Sequence, residues 1–538
     1  MTRLPLSRRD VLAQLAALTA SVFSFGGRPE GLRYGAPGSD PLDGTIADYV
    51  AGLRGGRWTA AEVTARAIER CRREGAAWRA IDALSTTALA DAKAADQRAR
   101  ARNMRGPLDG VPVFAKAIYD MKGLPTTASN AEWARLFPDP INRDAVEVAR
   151  MRAAGAIVLG KTAADDFAYR GAGTSSHTGQ VRNPYDPTGT RTPGGSSAGS
   201  AVAVAGSMAF AAVGTDDGGS NRIPAVCVGI VGMKPTFGLV PRTGVVPTWP
   251  YLDTHGPLAR SVADAALLLA VIAGADPSDP LSHGRSTQDG RRYPLLRDDA
   301  LNGVRLGVVD AHVPRDKMTR EAVDVWDRTL ADLRAAGAIV EPFLPPVTLA
   351  NYRNAFADAE KGRGGVKGDA RSPAATANAL YRYFAGRTGD PIEAVRRGYD
   401  AYRSFYDVLP KRFEDCVSLL QKPLEHDAAG QSFARSRRDV VAALGRSMKA
   451  AGVAAMIYPT MPFNAFRLAD GWPDVRTALG YGNWLGLPEV SVPSGLGGDG
   501  LPALSLSVVS LPGQDASALA FAHAYERQSR RFVPSPRA

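Results

Sequence analysis

The sequence predicts an α/β protein, one large domain in which a central mixed β-sheet is covered by helices. Short apolar runs recur along the chain between Val111 and Val509, as strands buried on both faces do. Between them lie helix-length stretches, so strand and helix alternate rather than forming separate blocks. Of the 538 residues, 45% are hydrophobic and 22% charged, the composition of a soluble globular chain with a sizeable core.

In chain order, Ser7-Arg8-Arg9-Asp10 precedes an Ala-rich, weakly hydrophobic run to Phe23. A twin arginine in that setting reads as a Tat export signal, so residues 1–35 are assigned to a signal and lead, with a periplasmic or secreted destination. An amphipathic N-terminal helix on a cytoplasmic protein is the alternative. The run is too short and too polar for a membrane span. The domain is assigned to residues 40–535. Thr59-Ala60-Ala61-Glu62 is a capping box opening a helix to about Arg73, and further helices are expected over 86–101 and 144–154. Gly106–Lys116 reads as a turn and a short strand ending on a lysine, and Ala156–Leu159 as the next strand. The apolar run 201–213 is long enough for a buried helix and strand. Residues 223–236 belong to the buried sheet and 262–273 to a helix. Strands at 304–309 and 338–342 flank a helix at 320–336. Residues 345–450 are read as a helical, substrate-shaping insertion. Strands at 453–459, 486–494 and 501–509 and a helix at 516–530 complete the domain.

Two Gly-Gly-Ser turns, at 194–196 and 218–220, flank the apolar run. A Gly-Gly pair permits positive φ, so successive N–H groups can converge beside a hydroxyl nucleophile. Lys116, leaving a buried strand, would have its pKa lowered by desolvation and could act as a base; a snorkelling surface lysine is the competing reading. Gly155–Thr162 matches the letters of a phosphate-binding loop, but its intervening Ala-Ile-Val-Leu is itself the strand, so nucleotide binding is not expected. His255, in Asp253-Thr254-His255-Gly256-Pro257, is a candidate for a histidine-based triad.

A net charge of +11 raises nucleic acid as a partner. The arginines, however, are scattered as on solvated helix faces (Arg66, Arg70, Arg72, Arg73; Arg396, Arg397, Arg403), and no nucleic-acid partner is expected. Three cysteines without a Cys-x-x-Cys pair allow one disulfide at most, and six dispersed histidines lack metal-site spacing. No metal or other cofactor is expected.

Taken together, Gly-Val-Pro-Val-Phe-Ala-Lys at 110–116, Gly-Ala-Ile-Val-Leu-Gly-Lys-Thr at 155–162, Arg-Asn-Pro-Tyr-Asp-Pro at 182–187, Pro-Gly-Gly-Ser-Ser-Ala-Gly-Ser at 193–200, Gly-Thr-Asp-Asp-Gly-Gly-Ser-Asn-Arg-Ile-Pro-Ala at 214–225 and Gly-Met-Lys-Pro-Thr-Phe-Gly at 232–238 resemble the amidase signature family of serine hydrolases. The resemblance is dense over 45–275, thin over 345–450, and recovers near the C-terminus. It implies a Ser-Ser-Lys triad with Ser220 as nucleophile, Ser196 as bridging serine and Lys116 as base, and a cis peptide at Gly195-Ser196. It also implies an oxyanion hole from the N–H groups of Asp217, Gly218, Gly219 and Ser220. Several positions depart from the pattern: Ala117 where an aspartate usually follows the lysine, Asp217 and Asn221 where apolar or small residues are usual, and Ala198 for a glycine. Arg170-Gly171-Ala172 stands where Gly-Ser-Ser often lines the acyl side, which makes these three residues the substrate-binding candidates.

The expected activity is hydrolysis of a carbon–nitrogen amide bond in a small molecule. Alternatives are an ester or carbamate hydrolase on the same triad, an amidotransferase-like subunit, and a catalytically silent binding protein. A homodimer is left open.

Overall fold

Among the described residues the chain forms thirteen short strands. They are β1 (Ile81–Leu84), β2 (Pro112–Lys116), β3 (Ile157–Thr162), β4 (Thr174–Ser175), β5 (Gly179–Gln180), β6 (Ala211–Asp216), β7 (Val231–Lys234), β8 (Thr254–Ala259), β9 (Arg305–Val308), β10 (Ile339–Pro342), β11 (Ala455–Pro459), β12 (Glu489–Val492) and β13 (Leu506–Val509). Eleven of them make one sheet in the order β1-β3-β2-β6-β8-β7-β12-β13-β11-β9-β10, and β4 and β5 form a separate ribbon. The large sheet is mixed: β2 runs parallel to β3 and β6, β9 parallel to β10 and β11, and the remaining pairings are antiparallel. The computed structural model describes residues 40–282, 296–310, 313, 315–346, 369–473 and 480–536. The export signal assigned to 1–35, and part of the 345–450 insertion, lie outside the described residues.

Every residue of β2, β3, β6 and β8 is buried, and β2, β3 and β6 accordingly read as runs of mostly apolar and small residues instead of alternating ones. Helices cover both faces. Ala198–Ala205 is buried along its whole length, and Val262–Ile272 and Asp515–Ser529 pack on β8 and β12. No helix among the described residues is long and apolar enough to cross a membrane.

Local signals account for most element starts. Thr59 and Glu62 close a reciprocal capping box on the helix Ala60–Arg70. That α-helix ends three residues earlier than expected and passes into a π-helical turn, Cys71–Gly75, while the Arg70 guanidinium is drawn to Asp40, Asp43 and the Ser207 carbonyl. All three cysteines are free and buried.

The insertion contributes the helices Pro373–Ala385, Pro391–Arg403, Phe413–Leu420 and Ala428–Ala450. It is polar as a sequence, but its inner faces are aromatic. Phe384 and Tyr402 pack on Trp133 and Phe167, and Tyr406 meets Trp249 with ring centroids 4.8 Å apart. Such rings bury large areas per residue and fix the insertion against the sheet-flanking loops.

Candidate active site

The site forms where β2 and β6 end side by side. Lys116, the last residue of β2, is completely buried. Its Nζ donates to Ser196 Oγ and to Thr215 Oγ1, each at 2.8 Å. Burial is the largest influence on this amine and brings its pKa down to about 8, against the pull of the carboxylates of Asp217, Asp165, Asp253 and Asp216. A lysine with that pKa has a substantial neutral fraction near neutrality and can accept a proton.

Ser196 lies in the first Gly-Gly-Ser turn. Gly194 has φ +71°, and the Gly195-Ser196 peptide is cis. Asp165 ties this turn to its surroundings: its N–H donates to the Ser196 carbonyl, and its carboxylate accepts from the N–H groups of Ala172, Gly173 and Thr174. Burial raises the Asp165 pKa to about 6, with these N–H groups and Lys116 opposing.

Ser220 lies in the second turn, just past β6, where Gly219 has φ +107°. The two turns are joined by the Ser197 N–H, which donates to the Ser220 carbonyl at 3.1 Å. The Gly219 N–H, expected to serve an oxyanion hole, donates instead to Asp216 Oδ1 at 2.7 Å. The N–H groups of Asp217, Gly218 and Ser220 have no acceptor among the described residues.

Behind the second turn lies an ionic cluster that the sequence does not announce. Arg222 bonds Asp216 through Nε and Nη2, Glu489 through Nη1, and Asn483 through Nη2. Glu489 in turn accepts from Tyr458 and Ser507. Burial disfavours the Asp216 charge, but the Arg222 guanidinium outweighs it and holds this carboxyl well below the usual range. Asp216 and Arg222 are visible inside the 214–225 motif, whereas Glu489 and Asn483 arrive from more than 260 residues away and have no local signature.

The substrate-binding candidates divide. Ala172 sits at the edge of an apolar cluster of Ile223, Val226, Met461, Phe463 and Phe466. A side chain at Gly171 would meet the Trp472 ring at 2.9 Å. Arg170 is exposed, its guanidinium 6.0 Å over the Phe405 ring.

The two competing motifs take other parts. Gly160, Lys161 and Thr162 are strand residues of β3, and Lys161 donates to the Pro125 carbonyl and Thr126 Oγ1, so no phosphate loop forms. His255, on β8, lies between carboxylates: Nδ1 bonds Glu147, and Nε2 is 3.4 Å from Asp253. Burial would lower its pKa, but Asp253 and Glu147 raise it to about 9. A cationic imidazole engaged on both sides has no lone pair for a serine. No group of His, Cys, Asp or Glu among the described residues is arranged to hold a metal ion.

The amidase family model matches residues 62–519. The chain belongs to the amidase family. Among its amidase-family relatives, a glutamyl-tRNA(Gln) amidotransferase subunit of Anaeromyxobacter sp. (strain K) is 35% identical over 475 residues, covering 82% of this chain and 87% of that protein. The crystal structure of the peptide amidase from Stenotrophomonas maltophilia superposes with a TM-score of 0.74 at 30% identity, covering 91% of this chain and 98% of that one. An amidase family protein from Bacillus anthracis str. Ames shares the fold with a TM-score of 0.72 at 24% identity over 99% of both chains.

Proposed function

We propose that this amidase-family enzyme hydrolyses a small-molecule amide through an acyl-enzyme on Ser220, with Ser196 and Lys116 as a proton relay. The observation that carries this reading is the Lys116–Ser196 contact of 2.8 Å, made by a buried amine whose hydrogen-bond partners are hydroxyls. Neutral Lys116 takes the Ser196 proton while Ser196 Oγ takes that of Ser220. Ser220 Oγ then attacks the carbonyl carbon, and the N–H groups of Asp217, Gly218 and Ser220 receive the developing oxyanion. With Gly219 committed to Asp216, that turn is held in shape by its own carboxylate. The relay then reverses, protonating the leaving amine, and water releases the acyl group. The apolar cluster beside Ala172 and Trp472 flanks the acyl side.

A second reading, a component that liberates ammonia from glutamine for transfer, is favoured by the likeness to the amidotransferase relative. Ammonia release from free glutamine, set against a panel of aliphatic, aryl and peptide C-terminal amides, esters and carbamates, separates the two. The site itself is tested by a serine-directed fluorophosphonate. One label per chain is expected, lost in Ser220→Ala; a label that survives this substitution rules out Ser220 as nucleophile. Export through the twin-arginine segment is likewise proposed, and cell fractionation of the full chain with Arg8 and Arg9 intact or replaced by lysine tests it.

A further inference from the structure

The turn that carries Ser220 is built from residues with little stiffness of their own. Two glycines stand between Asp217 and Ser220, and glycine has no Cβ to restrict the backbone. Donors to an oxyanion must nevertheless keep one geometry, so anchors outside the turn have to supply it. On the inner side Asp216 does this, accepting from the N–H groups of Gly219 at 2.7 Å and Asn221 at 3.1 Å. On the outer side the anchor is Asp217. Among the described residues its carboxyl has one hydrogen-bond donor, the buried Thr248 hydroxyl, which reaches Oδ1 at 2.6 Å. Burial and the neighbouring Asp253 push the Asp217 carboxyl well above the usual range, with the Thr248 hydroxyl opposing them. An acid that is costly to keep in place points to a use for its contact.

Thr248 is itself held on both sides. The Val246 N–H donates to the Ile118 carbonyl at 2.9 Å, two residues past Lys116, and the N–H groups of Leu252 and Asp253 both donate to the Trp249 carbonyl. The insertion grips the two neighbours of Thr248. The Tyr402 hydroxyl donates to the Pro247 carbonyl at 3.0 Å, and the Trp249 ring meets that of Tyr406, which stacks on Tyr402 with centroids 4.5 Å apart. Burial pushes the phenols of Tyr402 and Tyr406 up, and the Asp217 charge adds to the effect on both, as expected of rings gathered near that carboxyl. Three consecutive residues, Pro247, Thr248 and Trp249, thus contact the insertion, the turn and the insertion in succession.

We propose that Thr248 is a positioning residue for the reaction: clamped by the insertion, its hydroxyl holds Asp217 and thereby keeps the N–H groups of the oxyanion turn in register with Ser220. The insertion then serves catalysis through the turn, besides shaping an entrance. This inference rests on the acyl-enzyme reading above, since the turn matters only if Ser220 is the nucleophile.

The test uses two readouts on the full chain: kcat and KM on an amide of the panel that turns over, and the second-order rate constant for fluorophosphonate labelling of Ser220, which draws on the same oxyanion donors and requires no known substrate. Thr248→Val keeps the β-branched shape and deletes the donor, and should lower both kcat and the labelling rate by about tenfold to a hundredfold with KM within about threefold of wild type. Thr248→Ser restores the hydroxyl and should bring both rates back to within about threefold of wild type. Adding Thr248→Val to Asp217→Ala should cost no more than about a further threefold, because the contact is already gone. Tyr402→Phe removes only the hydroxyl on Pro247 and should lower both rates by about threefold to tenfold; it decides by itself if Thr248→Val does not fold. Unchanged rates in folded Thr248→Val or in Tyr402→Phe overturn the proposal, as do equal losses in the valine and serine variants or a rise in KM alone. Fully additive losses in the double variant also overturn it, since the hydroxyl then acts elsewhere, for instance on Asp253, whose charge it also favours. A wild-type chain that neither turns over nor labels is instead the failure of the hydrolase reading, and this inference falls with it.

Discussion

Lys116 and His255 are two buried bases on either side of β6. Thr215 hydrogen-bonds the first and is the β-ladder partner of the second. Both are fully buried, and burial pushes both toward the neutral form. They nevertheless end with opposite shifts: Lys116 down to about 8 and His255 up to about 9. What differs is the atoms they touch. Lys116 contacts hydroxyls, and the carboxylates act on it without a hydrogen bond to Nζ. His255 contacts two carboxylates, whose attraction exceeds the desolvation cost. Burial thus makes a base only where the first neighbours are neutral, and with carboxylates at contact distance it makes a fixed cation.

Exchanging each group tests this contrast most strongly. Lys116→Ala should lower kcat by on the order of 10²–10⁴-fold and leave the fold intact, since removing a buried amine removes a desolvation cost. His255→Gln should show the reverse pattern. It leaves Glu147 and Asp253 buried without their cation, so unfolding free energy falls by about 3–5 kcal/mol in denaturant titration, while folded molecules keep turning over. Loss of turnover in folded His255→Gln, with activity retained in Lys116→Ala, would hand the role of base to the histidine.

The pH profile gives the next effect. A base must be deprotonated, so kcat/KM on a neutral amide should rise with pH to a midpoint of about 8, falling about tenfold per unit below it. His255 stays cationic until about 9 and should add no limb near 6.5. An ascending midpoint at 6–7 would contradict the lysine assignment.

The same contrast shows how far the sequence can be read. The strand ending at Lys116 is legible because apolar and small residues run into one lysine, and the family motif then links it to Ser196. The Asp253–His255 segment is not legible as structure. Gly256-Pro257 argues against an internal strand, yet β8 pairs with both β6 and β7, so tertiary pairing overrides local preference. Partners that determine a pKa are equally hidden: Glu147 reaches His255 across 108 residues, and Glu489 reaches Arg222 across 267. Neither carboxylate has a neighbouring motif that marks it. The aromatic inner face of the insertion is obscured because its tyrosines and phenylalanines are interleaved with arginines, which read as solvated helix surface.

The smallest expected effect concerns Thr215 itself, the residue shared by the two bases. Its hydroxyl accepts from Lys116 Nζ and so favours the charged amine. Thr215→Val keeps the β-branched shape suited to the strand and deletes that acceptor. A net hydrogen bond of about 1 kcal/mol corresponds to roughly 0.7 of a pKa unit. The ascending limb of the pH profile should therefore move down by about that amount, making the variant relatively more active on the acid side. His255 loses no hydrogen bond, so the denaturation midpoint should change by less than it does in His255→Gln. An unmoved limb would mean that the Thr215 contact does not influence the base. An upward shift would mean that Lys116 takes its proton affinity from the carboxylates beyond the hydroxyls, and that the contrast drawn between the two bases is misplaced.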